Sequence, residues 1–248
     1  MKVILNGALG KMGVQVSDLL EKETLGATLA AGIDVAADGT APNIFRSLTD
    51  FSGDADVIMD FSNHLCTSEL TSYAVSRKLP LVIATTGQTE AELDMIRAAA
   101  KYVPVFLSAN MSLGIAVLAD FAKRAAALMP GADIEIIEKH HNQKLDAPSG
   151  TALMLADAVK EARHDAVPVY GRSGHAKREK NEIGVHSLRL GGVIGDHEVI
   201  LATEKETITL SHQAHSRALF AEGALVAAKF IVGKTAGLYD MHSIVNEG

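Results

Sequence analysis

Tryptophan is absent from the 248-residue chain, aromatic residues make up only 4% of it, and there is a single cysteine, Cys66. Each shortage removes a class of function. So few aromatic rings leave no platform on which the bases of a single-stranded nucleic acid could stack. One cysteine forms no internal disulfide, which fits a reducing compartment, and Cys66 reads as a small buried hydrophobe with an inert thiol. Positive charge is also short: 23 basic residues face 30 acidic ones, a formal net charge of -7, so no global basic field is available to hold nucleic acid or an anionic membrane. No apolar run approaches the roughly 20 residues that span a bilayer. The opening MKVILNGALGKMG breaks after about three apolar positions, far short of a signal-peptide core. A cytoplasmic protein working on a small molecule, with no nucleic-acid or membrane partner, is the expectation.

What the chain does have is apolar material, 48% of its residues, enough for a substantial core in one large domain or two modest ones. Up to about Asn110, short apolar runs alternate with helical segments, the pattern of a parallel sheet covered by helices on both faces. Strands are expected at Val3–Leu5, in ATLAAGID ending at Asp34, at Asp56–Ser62, Pro80–Gly87 and Val103–Asn110, with a first helix over Gly13–Lys22. After Leu113 the rhythm changes. A long helical stretch leads to the strand DIEIIEKH, to a polar run and to the helix TALMLADAVKEA; then VHSLRL, HEVILAT and ETITLSHQA read as an antiparallel sheet with one solvated or interface face. The polar, glycine-bearing connection Gly171–Gly184 is a candidate lid. The closing helix RALFAEGALVAAKFIVG is expected to return to the first domain and cover its sheet.

GALGKMG places glycines at 7, 10 and 13 between a predicted strand and a predicted helix. Bare backbone there lets a pyrophosphate approach the unpaired amides of a helix start. The spacing is G-x-x-G-x-x-G and not G-x-G-x-x-G, but Asp34, at the end of the second strand and about 20 residues past the last glycine, is placed to accept hydrogen bonds from a ribose diol. A dinucleotide follows. Asp34 would repel a 2'-phosphate, and Val35 and Ala36 offer no cation, so NADH is expected; Lys11 in the glycine loop could reach a phosphate, so NADPH is expected as well.

The richest stretch is IIEKHHNQKLDAPSGTA, Ile136–Ala152. His140 and His141 fall at a strand end, Pro148 cannot continue the strand, Ser149 is a good N-cap, and Gly150 with Thr151 opens the next helix. The free amides of that helix start, with the Thr151 hydroxyl and His141, would hold a carboxylate. His140 and Lys144 are two candidate proton donors, suited to a reduction in which hydride adds to an electron-poor C=C–C=N system and leaves an anion to be protonated. No metal site is expected: adjacent histidines without cysteine or H-E-x-x-H spacing make a poor zinc set. His186, His197, His212 and His215 fall on the alternating strands and read as structural or interface residues.

The run EKHHNQKLDAPSGTA resembles, along its whole length, the signature of the dihydrodipicolinate reductase family, as do GALGKMG, DFS at Asp60–Ser62, ATTG at Ala84–Gly87, SANMSLG at Ser108–Gly114 and the closing SRALFAEGALVAAKF with GLYDM. The resemblance implies a Rossmann-type doubly wound α/β domain over residues 1–111 and 218–248 and an inserted α+β domain over residues 112–217 that binds substrate and builds a homotetramer. It implies NAD(P)H-dependent reduction of a dicarboxylate in the diaminopimelate route to lysine, with closure of the two domains bringing hydride donor and acceptor together. His140 would donate or accept the proton, Lys144 would be a second proton donor, and His141, Gly150 and Thr151 would bind the substrate carboxylates. Cofactor contacts are implied from Gly7, Ala8, Leu9, Gly10, Lys11 and Met12, from Asp34, from Ala84, Thr85 and Thr86, and from Ser108, Ala109, Asn110 and Met111. Three positions depart from the family's habit: Ala84 for glycine, His64 for proline and Met111 for phenylalanine. Arg217, in the S-R pair, is expected either near the active site or in a hinge ion pair. Two other readings stay open on the residues themselves: another two-domain dehydrogenase of amino or hydroxy acids, and a nucleotide-sensing protein without turnover.

Overall fold

In the computed structural model, which describes residues 1–247, the chain divides into two compact units: Met1–Ser112 with the segment from Ala218 onward, and Leu113–Arg217. The first unit begins β1 (Lys2–Asn6), α1 (Lys11–Glu21), β2 (Thr28–Ile33), β3 (Ile44–Phe45), β4 (Val57–Asp60), α2 (Thr67–Arg77), β5 (Leu81–Ile83), α3 (Glu90–Ala99) and β6 (Pro104–Leu107). The second unit holds α4 (Leu113–Leu128), β7 (Asp133–His140), α5 (Gly150–Ala162), β8 (Val167–Tyr170), β9 (Glu182–Arg189), β10 (Asp196–Ala202) and β11 (Thr207–Gln213). The chain ends with α6 (Ala218–Ile231), β12 (Gly237–Tyr239) and α7 (Met241–Glu247) in the first unit.

The first sheet has the order β12-β6-β5-β4-β1-β2-β3 with every pair parallel. Its middle strands are apolar on both faces: β4 and β5 are buried at every position, as a sheet sandwiched between helices must be. The expected α/β parallel sheet is therefore present. Strands are shorter than the apolar runs, because parallel pairing needs a neighbour at each position and the runs continue into loops beyond the sheet edge. The two-residue β3 and three-residue β12 carry too little apolar signal to be foreseen; they are edge strands held by their neighbours. α6 is packed against β4, β5 and β6 and against α1, and its Ala221, Gly223, Ala224, Ala227 and Ala228 are buried. Small side chains allow this close approach, and Phe230 fills the end, edge-on to Phe106 at 6.3 Å. Each wholly buried leucine or isoleucine of this core contributes about 1.5–3 kcal/mol relative to exposure.

The second sheet, order β11-β10-β7-β9-β8, is mixed and not antiparallel as the turn pattern had implied. β7 pairs parallel with β9, and β8 with β9, while β10 pairs antiparallel with β7 and with β11. The cause is the pair of long connections: the α5 crossover brings β8 back in the direction of β7, and the segment from Gly171 to Asn181 does the same for β9, while the short link to β10 reverses the chain. Because β7 lies between β9 and β10, the short link from Arg189 to Asp196 must cross the C-terminal end of β7. It does so through Gly191, at φ +51°, Gly192 and Gly195. Leu190 N–H donates to the His140 carbonyl at 2.8 Å along the way. The core below joins Ile134, Ile136, Val185, Val199 and Leu201 of the sheet to Leu155 and Val159 of α5 and Ile115 and Leu118 of α4.

The expected lid is partly regular structure. β9 begins at Glu182, and Arg178 ties the end of the connection to the sheet, pairing with Asp133 at 3.1 Å and Glu135 at 3.2 Å and donating to the Ile134 carbonyl at 3.0 Å. Among the described residues no helix is long and apolar enough to cross a membrane.

Candidate functional site

In the first unit, strand order reverses on either side of β1, and the glycine loop leaves from β1's C-terminal end, the place where open α/β sheets receive ligands. Gly7 sits at φ +83°, and a Cβ there would stand 2.6 Å from the Phe61 carbonyl; at Gly13 a Cβ would stand 2.0 Å from the Gly7 carbonyl. Those two glycines are packing requirements. Gly10 is different: only one atom comes near its Cβ direction, at 3.3 Å. It is the N-cap of α1 with no side-chain cap and no acidic residue in the first turn, so the amides of Lys11, Met12 and Gly13 lack intrahelical acceptors and face a bare loop. This fits a pyrophosphate.

A cavity of about 270 Å³ adjoins the loop, lined by Gly7, Gly10, Asp34, Arg46, Ser47 and Ser62 among others. Asp34 accepts the amides of Leu9 and Ala36, each at 3.0 Å; a carboxylate has about four acceptor sites, so two remain for a ribose diol. The cation that lines this cavity together with Asp34 is Arg46, which follows β3, whereas Lys11 does not line it. Arg46 is twelve residues from Asp34 in sequence, and the pairing of β3 with β2 is what delivers it.

The other implied cofactor segments also leave C-terminal strand ends. Ala84, Thr85 and Thr86 follow β5, where Ala84 N–H donates to the Asp60 carbonyl at 2.9 Å and the Thr85 carbonyl accepts from Gln88 at 2.7 Å. Ser108, Ala109, Asn110 and Met111 follow β6, with Ser108 Oγ donating to the Asn110 carbonyl at 2.7 Å and Met111 buried. Asp60 itself, from the DFS motif, is buried at the switch point and accepts from Asn6 at 2.8 Å and Ser62 at 2.6 Å. Burial pushes its carboxyl up, against the opposing pull of hydrogen bonds from Ser62 and Asn6. His64 pairs through Nδ1 with Glu92 at 3.0 Å, and Glu92 completes the capping box of α3 with Thr89. The residue that departs from proline thus ties the loop after β4 to the helix after β5.

In the second unit the alternation of β7 puts Ile134 and Ile136 into the core and then, on the same face, Glu138 and His140. Two polar groups on a buried face need partners, and the sheet register supplies them: Ser187 on β9 and His197 on β10 lie opposite Glu138, and Arg189 lies opposite His140. Glu138 is wholly buried. Arg189 donates to both its oxygens, at 2.9 and 2.8 Å, His140 Nδ1 lies 2.5 Å from Oε2, and the Ser149 amide donates to Oε1 at 3.1 Å. Burial alone would raise this carboxyl; the hydrogen bonds from Arg189, His140, Ser187 and Ser149 outweigh it and hold it at about 2.

Ser149 caps α5, its Oγ accepting the Ala152 amide at 3.2 Å. Gly150 and Thr151 therefore open the helix beside the Glu138 group. His140 is 8% exposed, its ring edge-on to His197 at 5.2 Å, and a Cβ on Gly195 would stand 3.1 Å from its Nε2. His141 is half-buried on the loop that follows, and Lys144 Nζ pairs with Asp146 at 2.9 Å. Among the described residues no cluster of histidine, cysteine, aspartate or glutamate has the form of a metal site.

The other histidines divide. His186 pairs with Glu135 at 2.8 Å, His212 lies in β11, and His215 lies beyond its end. His197 departs from the expectation of a bland strand residue: it is buried against His140 and touches Ser149 Oγ at 3.3 Å. Burial, then the proximity of His140, lowers its pKa to about 4. A free imidazole near 6.5 takes a proton first in the unfolded chain, so this contribution to stability is complete above pH 6.5 and is lost as pH falls towards 4. The midpoint of thermal unfolding, followed by circular dichroism, is expected to decline across that window, and His197→Phe to flatten the decline.

Two family models between them match nearly the whole chain: "Dihydrodipicolinate reductase, N-terminus" over residues 1–111 and "Dihydrodipicolinate reductase, C-terminus" over residues 114–245. The 4-hydroxy-tetrahydrodipicolinate reductase of Caldanaerobacter subterraneus subsp. tengcongensis is 46% identical, covering 100% of this chain and 99% of its own length. That of Clostridium novyi is 46% identical over 98% of each. Among solved structures, a dipicolinate-bound dihydrodipicolinate reductase from Paenisporosarcina sp. TG-14 superposes with a TM-score of 0.81 at 26% identity, covering 97% of each chain. On sequence along its full length and on fold, the chain belongs to the dihydrodipicolinate reductase family.

Proposed function

We propose that this chain reduces 4-hydroxy-2,3,4,5-tetrahydrodipicolinate to 2,3,4,5-tetrahydrodipicolinate with NADH or NADPH, in the diaminopimelate route to lysine. One observation carries the reading: in a chain matched throughout by relatives named for that reaction, a single strand end assembles His140, the Lys144 loop and the start of α5. A bound reduced nicotinamide supplies the hydride. The chain's own residues do the rest. Gly150, Thr151 and His141 bind substrate carboxylates through helix-start amides and an imidazole, as the dipicolinate in the related structure's name leads one to expect. His140 and Lys144 deliver the proton that neutralises the anion left by hydride addition. Overall the 4-hydroxyl leaves as water while one hydride and one proton enter.

In the same reading the first unit is the dinucleotide domain, with the glycine loop Gly7–Met12 on the pyrophosphate, Asp34 on the ribose, and Ala84–Thr86 and Ser108–Met111 on the nicotinamide half. The second unit binds substrate and, through its sheet, builds a homotetramer; the enzyme works in the cytoplasm. Wild-type protein is expected to consume nicotinamide absorbance at 340 nm when the unstable substrate is generated in situ by dihydrodipicolinate synthase. Silence in that assay, with cofactor bound, would leave the nucleotide-sensing reading instead.

Cofactor choice follows from the Asp34 cavity. Asp34 disfavours a 2'-phosphate, and Arg46 on the same cavity offsets it. Arg46→Ala is expected to raise KM for NADPH about tenfold, equivalent to about 1.4 kcal/mol, with KM for NADH unchanged. Binding of 2',5'-ADP to the free protein by calorimetry should weaken in step, and that of 5'-ADP should not. A large NADPH preference in the wild type would contradict the role given to Asp34.

A further inference from the structure

One carboxylate in the second unit touches both halves of the site. Glu138 Oε2 meets His140 Nδ1 at 2.5 Å, and Oε1 accepts the Ser149 amide at 3.1 Å, one residue before Gly150. Arg189 grips both oxygens and also donates to the Asp146 carbonyl at 2.6 Å, in the loop that bears Lys144. The chemistry assigned to His140 and to the start of α5 makes no use of Glu138 or Arg189.

The fold does not need this group for its own sake. A buried ion pair is, on balance, no more stabilising than apolar side chains of the same volume, because desolvation cancels most of the attraction. Here the arrangement tolerates more: Arg189 Nε is buried without a partner. The two positions of β7 that precede Glu138 on this face, Ile134 and Ile136, bury isoleucine. What an apolar residue could not do is receive a proton-bearing Nδ1 on one side and a backbone amide on the other.

We propose that Glu138, clamped by Arg189, is a positioning residue: it fixes His140 with its Nδ1–H towards the carboxylate and Nε2 as the working nitrogen, and registers that imidazole against the amides that open α5. A carboxylate ionised throughout the working range can only accept, so Nδ1 is the donor in this pair. The neutral imidazole then has its lone pair at Nε2, and any proton taken up or released passes there. Orientation by a second carboxylate of this kind supports general acid–base catalysis without touching substrate. The proposal rests on the proton-transfer role given to His140, and its test has a part that does not.

The test uses the full-length chain with Glu138→Gln and Arg189→Lys. In long-range proton–nitrogen spectra of the ligand-free wild type, neutral His140 should show a single tautomer, protonated at Nδ1; Glu138→Gln should give a mixture. In the coupled assay kcat of Glu138→Gln should fall about 100-fold, and Arg189→Lys, which keeps the charge but loses the two-pronged grip, about tenfold, both with KM for NADH unchanged. A purely structural role would move the unfolding temperature and leave tautomer and kcat of the folded protein as they were; that result, or Nε2-protonated His140 in the wild type, overturns the proposal. If Glu138→Gln does not fold, Arg189→Lys decides by the same two readouts. Wild-type inactivity on the supplied substrate would sink the functional reading and leave the tautomer measurement standing.

Discussion

His140→Ala is expected to lower kcat about a thousandfold, within the range that a positioned acid or base contributes, with KM for NADH little changed. The reasoning starts from burial. His140 is 8% exposed and held on one side by Glu138, on the other by the glycine-bearing link that crosses β7, with His197 against its ring. Alanine removes the imidazole and with it the proton-carrying Nε2. The fold should survive, because Glu138 keeps both Arg189 bonds and the Ser149 amide, so its charge is not orphaned. The lost hydrogen bond to a charged group costs about 1.5–3 kcal/mol. Lys144→Ala should also reduce kcat, by a smaller factor, since its ammonium shares a pair with the more exposed Asp146. If the two act on one proton, the double variant will lose less than the product of the single losses. Turnover undiminished in both single variants would refute the assignment.

Gly13→Ala is expected to abolish dinucleotide binding and to destabilise the first unit by about 3 kcal/mol. Helix propensity points the other way, favouring alanine by about 1 kcal/mol in a helix interior. Sterics decides it. A Cβ at residue 13 would lie 2.0 Å from the Gly7 carbonyl oxygen and 2.7 Å from the Ala8 carbonyl carbon, both backbone atoms without room to retreat. Relief requires α1 to move away from β1, which displaces the Gly10 turn and the amides behind it. The unfolding temperature should fall by about 6–12 °C, and calorimetry should detect no NADH binding at concentrations that saturate the wild type. Gly10→Ala is the control: its Cβ meets a single atom at 3.3 Å, so folding should be nearly normal while approach of the pyrophosphate is impaired. Normal cofactor affinity in Gly13→Ala would show that the loop is not the pyrophosphate site.

Much of this is legible in the sequence. Apolar runs of three to five residues between helical periods announce the parallel sheet, since strands buried on both faces have nothing else to be made of. The run from Glu138 to Ala152 announces a polar strand end followed by an N-capped helix, and β7, Ser149 and α5 take that form. Other things were not legible for stated reasons. The turn pattern implies an antiparallel sheet because it shows only adjacency along the chain, whereas in the sheet β7 lies between β9 and β10. His197 and Arg189 looked like ordinary strand residues because their partner, Glu138, is 59 and 51 positions away. Arg46 escaped notice because a two-residue edge strand has almost no pattern of its own.

Local chemistry, then, was set by the order of residues: where chain turns, where helices start, which side chains carry protons, because capping, glycine freedom and hydrophobic period act over a few neighbours. Register was decided only in three dimensions. Which residue of β9 or β10 lies opposite Glu138 depends on how whole strands align to bury their apolar faces, and that alignment is what adds an arginine and a second histidine to the imidazole and helix-start amide that the local sequence already sets beside one buried carboxylate.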